Sequence, residues 1–380
     1  MSTFQSLRRI ASNYLFTGSD MIVRPLVASA PDGRILSIEQ YDQADRLPGV
    51  EFYAGLLAPG MVNAHCHLEL SCLRGAIPEG GGFTAFARAM GEVRSRFEPA
   101  QREAAIDGAD ARMWVDGIQA VGDVSNGEES FPIKARSRLS YRTFAEVFGL
   151  KRHSAKAQLP LLDNPRTSLT PHAVYSVQDA LFRSLCAEGE APLSIHFMES
   201  PVESELFQQR GELWEWYAQT GLTCDFLHYG SPARRIVESI PSDRSVILVH
   251  DCCVTQQDID LIMEHFTAPV WWCLCPCSNH YISRLRPPVE LLRRNGLRIC
   301  LGTDSLASNT SLSLLEEIRQ LPEVPLLESL EWATRNGAKA LGLEEVGEVA
   351  VGKRPGLILF SGLDYRTMSL TRDSRLTRIS

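Results

Sequence analysis

Eight short apolar runs recur between residues 56 and 305, and each breaks into polar or turn residues at its C-terminal end. In order they read LLAPGMVNAHCH, GIQAVGDVS, YRTFAEVFG, TSLTPHAVYS, PLSIHFMES, SVILVHDCC, PVWWCLCPCS and LRICLGTDS. Between them, apolar residues return at three and four positions, the helical period, in FTAFARAMGEVRSRF, VQDALFRSLCAEG, DIDLIMEHF and PVELLRRNG. Near-continuous apolar strands alternating with helices predict a parallel sheet covered on both faces, in the α/β class. Eight such units predict a (β/α)8 TIM barrel, whose working residues sit at the C-terminal strand ends. The third crossover, LKRHSAKAQLPLLDNPR, has the weakest helical period and is expected to be mostly loop.

Two stretches lie outside these units. The N-terminal part, NYLFTGSDMIVRPLVASAPDGRILSIEQY, alternates short β runs with turns, and VGEVAVGKRPGLILFS near the other end does the same. Neither has enough apolar surface to fold alone. The expected organisation is therefore a barrel over residues 57–344 and a small β-sandwich built from residues 1–56 and 345–380.

Composition narrows the partners. A length of 380 residues holds one domain of ~250 residues plus a smaller one. The formal net charge of −8 argues against nucleic acid or an anionic membrane, both of which want a basic surface. No stretch approaches the ~20 apolar residues of a membrane span. The opening MSTFQSLRRIASNYLF has two arginines with no apolar run after them, so no signal peptide is expected. Ten cysteines, several inside apolar runs (Cys273, Cys275, Cys300), read as reduced thiols rather than a disulfide framework. The expected compartment is the cytoplasm.

Histidine placement carries the chemistry. His65 and His67 are two apart, so on a strand both project toward the barrel axis while Cys66 points away. His196 ends the fifth strand with Glu199 three residues on; His250 ends the sixth, Asp304 the eighth, and His172 the fourth. Core packing explains any one of these but not their gathering at one rim. Imidazoles with one carboxylate suit one divalent ion, Zn²⁺ first and Fe²⁺ second, with a position left for water.

The segments PGMVNAHCH, IHFMES, VHDCC, CPCSN, GTDSLASN and GEVAVGKRPGLILF, in this order, resemble the amidohydrolase superfamily, specifically its mononuclear nucleobase and nucleoside deaminases. The resemblance implies metal ligands His65, His67, His196 and Asp304, with His250 hydrogen-bonded to the metal-bound water. It also implies one metal, because TSLTPHAVYS lacks the lysine or glutamate that bridges two. Asp304 is then the acceptor of a water proton, His250 orients the nucleophile, and Glu199 protonates a ring nitrogen and shuttles a proton to departing ammonia. A homodimer is the habit of the family.

Within the superfamily, NAHCHLELS, CPCSNHYI and GTDSLASNTSLSLLEEI look like the aminodeoxyfutalosine deaminases of menaquinone biosynthesis. The expected substrate is an aminopurine nucleoside, 6-amino-6-deoxyfutalosine, converted to futalosine; adenosine, S-adenosylhomocysteine and guanine are the alternatives. His172 resembles the histidine that contacts the sugar. Arg74 and Glu79 in the first loop are candidates for the pocket, Glu79 as a chelator of ribose hydroxyls, with solvated loop residues as the alternative. Ser278, Asn279, Ser305, Arg284 and Arg286 are further candidates, an arginine for pairing with a substrate carboxylate.

Other features have plainer readings. CLCPC (Cys273, Cys275, Cys277) is a strand broken by Pro276 rather than a thiolate metal site, and WEWY (Trp214 to Tyr217) is helix packing rather than a base-stacking platform. A non-enzymatic barrel scaffold would have lost a ligand or Glu199, and this chain keeps them all.

Overall fold

The computed structural model describes residues 7–42 and 48–380. Residues 1–6 and 43–47, part of the expected N-terminal segment and of the stretch read for a signal peptide, lie outside the described residues.

Both chain ends enter one seven-stranded sheet. Its strands are β1 (Arg8–Phe16), β2 (Met21–Val23), β3 (Pro25–Ser29), β4 (Ile35–Gln40) and β5 (Val50–Pro59). β1 pairs with β2, β3 and β5. The last two strands of the chain, β14 (Leu357–Ser361) and β15 (Arg375–Arg378), add to the edge of β5. Ile10, Leu15, Val27, Leu57, Leu357 and Leu359 form its core, so each terminus supplies apolar surface that the other lacks.

Beyond Gly60 the chain runs directly into β6 (Met61–Cys66), the first barrel strand. The others follow as β7 (Ile118–Ser125), β8 (Ser140–Val147), β9 (Thr167–Pro171), β10 (Leu193–Phe197), β11 (Val246–His250), β12 (Val270–Leu274) and β13 (Arg298–Leu301). All neighbouring pairs are parallel, in two four-stranded sheets, β6–β9 and β10–β13. Single bridges close the seams into a TIM barrel: Ala173 to His196 between the halves on one side, Cys66 to Asp304 on the other. Strands β6, β10, β11 and β12 are buried at every residue, as a sheet covered on both faces requires.

The axis is packed by Val62, Ala64, Ala120, Phe144, Ile247, Val249, Trp271, Cys273 and Cys300. Helices fall where the period predicts them, at Phe83–Val93, Asp179–Ala187, Gln256–His265 and Val289–Arg294. The third crossover is loop with one 3-10 turn at Leu159–Asp163. All ten cysteines are free, and Pro276 starts a helix immediately after Cys275. Among the described residues no helix is long and apolar enough to cross a membrane.

Candidate metal centre and catalytic cavity

Val62 and Ala64 face the barrel axis, so strict alternation along β6 would turn His65 away from it. One extra residue resolves this. The register with β7 shifts between Asn63 and Cys66, a bulge that re-aims the strand end and turns His65 and His67 into the rim. Across the seam, Gly302 meets this segment so closely that an added Cβ would lie 2.8 Å from the His65 Cβ. Asn63 then clasps Thr303, its Nδ2 donating to Oγ1 (2.7 Å) and its Oδ1 accepting from the Thr303 N–H (3.1 Å). That clasp sets Asp304 beside the two histidines.

Four buried groups converge. His67 Nε2 lies 3.2 Å from His65 Nε2 and 3.2 Å from His196 Nε2, and Asp304 Oδ1 lies 3.5 Å from His67 Nε2 and 3.8 Å from His65 Nε2. Two nitrogens bound ~2.05 Å from one tetrahedral ion would be ~3.3 Å apart, so this spacing fits a shared divalent cation. The protonation pattern agrees. His196 Nδ1 donates to the His172 carbonyl (3.0 Å), which leaves Nε2 as a lone-pair donor. Asp304 Oδ2 accepts from the hydroxyls of Ser278 (2.7 Å) and Ser308 (2.6 Å), which leaves Oδ1 for the cluster. Burial alone would raise the Asp304 carboxyl, but the surrounding His65, His67 and His250 outweigh it and hold it well below the usual range.

Two more groups sit at the rim. Burial, with Asp304 and Glu203 adding to it, pushes the Glu199 carboxyl well above its ordinary value and so favours its protonated form. Burial pushes His250 down to about 3, so its imidazole is neutral. The Asn279 amide donates to His250 Nδ1 (3.0 Å), leaving the proton on Nε2, 3.7 Å from Glu199 Oε2. The turn carrying Glu199 is held by Glu203, whose carboxylate accepts the N–H groups of Met198 (3.0 Å) and Glu199 (2.7 Å).

A cavity of about 300 Å³ opens on these groups. Its wall is aromatic, with Phe83, Phe86, Phe148, Tyr175 and Trp216, and its polar lining adds Asn126, Glu146, His172 and Ser305. The WEWY residues Trp214, Trp216 and Tyr217 pack in or against the core, as expected, and Trp216 also lines the cavity from the helix Gly211–Gln219.

Of the sequence candidates, His65, His67, His196, Asp304, Glu199, His250, His172 and Ser305 are brought together here, Ser278 stands behind Asp304, and the others lie elsewhere. Asn279 is buried behind His250 rather than exposed to a substrate. Glu79 pairs with Arg284 (3.0 Å) on the outside, because Gly80 and Gly82 donate to the Tyr281 and Ile282 carbonyls and pin their loop outward. Arg286 pairs with Glu323 (3.1 Å), and Arg74 lines a separate groove with Arg112, Arg319 and Arg375. Glu203, Glu146 and Asn126 are the residues that sequence reasoning missed. The Pro at the start of the helix Pro201–Phe207, with a glutamate two residues on, was the available signal for Glu203.

Comparison with known proteins agrees with this geometry. A family model described as the amidohydrolase family matches residues 56–377. An adenosine deaminase from Helicobacter pylori is 29% identical over 358 residues, 87% of this chain and 85% of the relative. A 5-methylthioadenosine/S-adenosylhomocysteine deaminase from Thermoanaerobacter pseudethanolicus is 25% identical, over 80% of this chain and 73% of the relative. Among solved structures, Helicobacter pylori aminofutalosine deaminase in complex with methylthio-coformycin superposes with a TM-score of 0.79 at 26% identity, over 96% of this chain and 93% of that one. An adenosine deaminase from Xanthomonas campestris with bound zinc shares the fold, at a TM-score of 0.74 and 22% identity, over 96% and 86%.

Proposed function

The chain belongs to the amidohydrolase family and is a hydrolase of cyclic-amidine C–N bonds, and from that premise we propose that its substrate is 6-amino-6-deoxyfutalosine, deaminated to futalosine. The single observation that carries deamination is the Glu199 carboxyl buried in the same aromatic cavity as the His/Asp cluster. The nucleoside relatives and the aminofutalosine deaminase likeness support the substrate class and the particular substrate respectively.

His65, His67, His196 and Asp304 would hold one divalent cation, with zinc as the proposed ion. When bound, the cation supplies the Lewis acidity that makes water a nucleophile at neutral pH. The protein's own groups then manage two protons. Glu199 gives its proton to the ring nitrogen beside the amine-bearing carbon, which makes that carbon electrophilic. Asp304 Oδ1 takes one proton of the attacking water, and His250 Nε2–H orients the oxygen and stabilises its charge. Of the two water protons, one leaves with the amine as ammonia and the other restores the Glu199 acid. One water enters and one ammonia departs. The aromatic wall packs on the purine and excludes bulk water. A cytoplasmic location and a homodimer belong to the same proposal.

An ammonia-release screen of the zinc-loaded protein tests it. Aminodeoxyfutalosine is expected to be turned over in preference to adenosine, S-adenosylhomocysteine and guanine. Turnover of guanine alone would overturn the substrate and leave the reaction class standing.

A further inference from the structure

Glu146, at the C-terminal end of β8, has no part in the chemistry above, yet it lines the cavity and is buried. Its orientation is fixed by a chain of contacts. The Arg94 guanidinium donates to an Asn126 side-chain atom (3.2 Å), and a guanidinium has nothing but donors, so that atom is the amide oxygen. The amide nitrogen therefore faces the other way and donates to Glu146 Oε2 (2.7 Å). The Asn126 backbone is held independently, its N–H donating to Glu69 Oε2 (2.9 Å). Oε2 of Glu146 is thus engaged as an acceptor; Oε1 lies 3.9 Å from His196 Nδ1, and no hydrogen bond to Oε1 occurs among the described residues.

His172 completes the pair. Its Nδ1 contacts the Ser176 hydroxyl (2.7 Å), which leaves Nε2 for the cavity. Glu146, His172 and His196 each place a ligating atom within 4.8 Å of the other two, a spacing that invites a second cation. His196 rules that out: its Nδ1 is spent on the His172 carbonyl and its Nε2 belongs to the first cluster. Two groups remain, too few to cage an ion but well matched to two adjacent hydroxyls.

We propose that Glu146, held by Asn126 and flanked by His172, reads the vicinal hydroxyls of the substrate's sugar and is the residue that sets selectivity for ribonucleosides. The inference rests on the nucleoside reading above and adds to it a residue on a different strand from any sequence candidate. Its place fits: Glu146 Oε1 lies 3.9 Å from His196 Nδ1, on the edge of that imidazole turned away from the Nε2 cluster, and so beside the reacting end of the cavity rather than on it. A hydroxyl donating to Oε1 makes a charge-assisted bond. A sugar lacking that hydroxyl leaves a buried carboxylate oxygen unpaired, so discrimination is built in.

The test uses the full-length zinc-loaded protein with adenosine, 2′-deoxyadenosine and 3′-deoxyadenosine, read as kcat/KM from ammonia release, with bound zinc measured for every variant. The wild type is expected to favour adenosine over at least one deoxy analogue by about 30-fold, the worth of one hydrogen bond to a charged group. Glu146→Gln is expected to bring that ratio within about threefold at unchanged zinc content. Asn126→Ala keeps the carboxylate but releases it, and is expected to lower the same ratio by a smaller factor even where Glu146→Gln folds poorly. A ratio unchanged in both variants, or an equal loss on all three substrates, overturns the assignment of Glu146 and leaves the deaminase reading intact. A wild type that releases no ammonia from any aminopurine nucleoside, aminodeoxyfutalosine included, overturns both.

Discussion

The two half-barrels do different work. The half made of β6–β9 supplies His65 and His67 and, toward the far wall of the cavity, Glu146, Phe148 and His172. The half made of β10–β13 supplies the groups to which the proposed mechanism assigns proton movement, Glu199, His250 and Asp304. Their backbones differ too. Met198, His250, Asp251 and Asp304 all have left-handed φ, at 47°, 85°, 56° and 56°, whereas β6 to β9 end without a single non-glycine residue of that kind. Such residues cost ~1–3 kcal/mol each and persist only where the surroundings hold them. The proton-moving half is therefore the strained one, clamped by Glu203 and by the Asn279–His250 and Ser278–Asp304 bonds. The strand ends of the binding half carry no such residue and can vary with less structural consequence.

The cluster is where the halves meet, since its ligands come two from each side and the seams hold only single bridges. Removing the metal is thus the most drastic way to separate them. Dialysis against a chelator is expected to abolish turnover and, because a tight ligand of the folded state is lost, to lower Tm by on the order of 5–10 °C, both restored by zinc. Calorimetry of the apo and reloaded protein checks it. Identical melting in the two forms would mean that the halves do not depend on a shared ion.

Next in size is Glu199→Gln. General acid–base catalysis contributes ~10²–10⁴-fold, and turnover should fall by that factor while zinc content stays the same. The pH dependence has a definite sign. A carboxyl raised well above its ordinary value is the active acid while protonated, so wild-type activity declines as pH rises through that raised value. The amide has no proton to lose, and this part of the alkaline decline should be missing from its profile. Near-normal rates in the variant would strip Glu199 of its role.

A smaller pair of effects sets the halves directly against each other. Asn279→Ala frees the His250 ring and should lower kcat by ~10–100-fold with KM little changed, the usual range for a residue that orients a catalytic group. Phe148→Ala, in the binding half, removes one face of the aromatic wall and should raise KM by ~2–10-fold with kcat nearly intact. Steady-state kinetics on one nucleoside decide the matter, and a kcat effect from Phe148 equal to that from Asn279 would erase the division.

That division also explains what could be seen in the chain alone. The ligands and Glu199 were legible because each stands at the end of an apolar run or within three residues of it, and a barrel gathers strand ends at one rim. The TIM barrel, its helices and the loop-rich third crossover were legible for the same periodic reason. The bulge in β6 was not, since two histidines two apart look the same with or without it. Trp216 was hidden because helical periodicity gives a face and not what the face meets. Glu146 was hidden because YRTFAEVFG reads as an ordinary strand end, and its partners Asn126 and Arg94 come from two other segments. Loop candidates fared worst, Glu79 and Arg74 among them, because no period fixes where a loop residue points.

The outward loop gives the smallest expected effect and a useful control on the rest. Arg284 and Glu79 are each close to half exposed, at 48% and 46% of their side-chain surface, and water screens a pair like that to ~0–1 kcal/mol. If the binding half ends at the aromatic wall and the Arg94–Asn126–Glu146 contacts, neither side chain reaches a bound nucleoside. Arg284→Ala should then leave kcat/KM for aminodeoxyfutalosine within about twofold, and Tm within about 2 °C. A tenfold rise in KM, confined to substrates that carry a carboxylate, would extend the binding half out to the first and seventh loops and return the anion-reading role to Arg284.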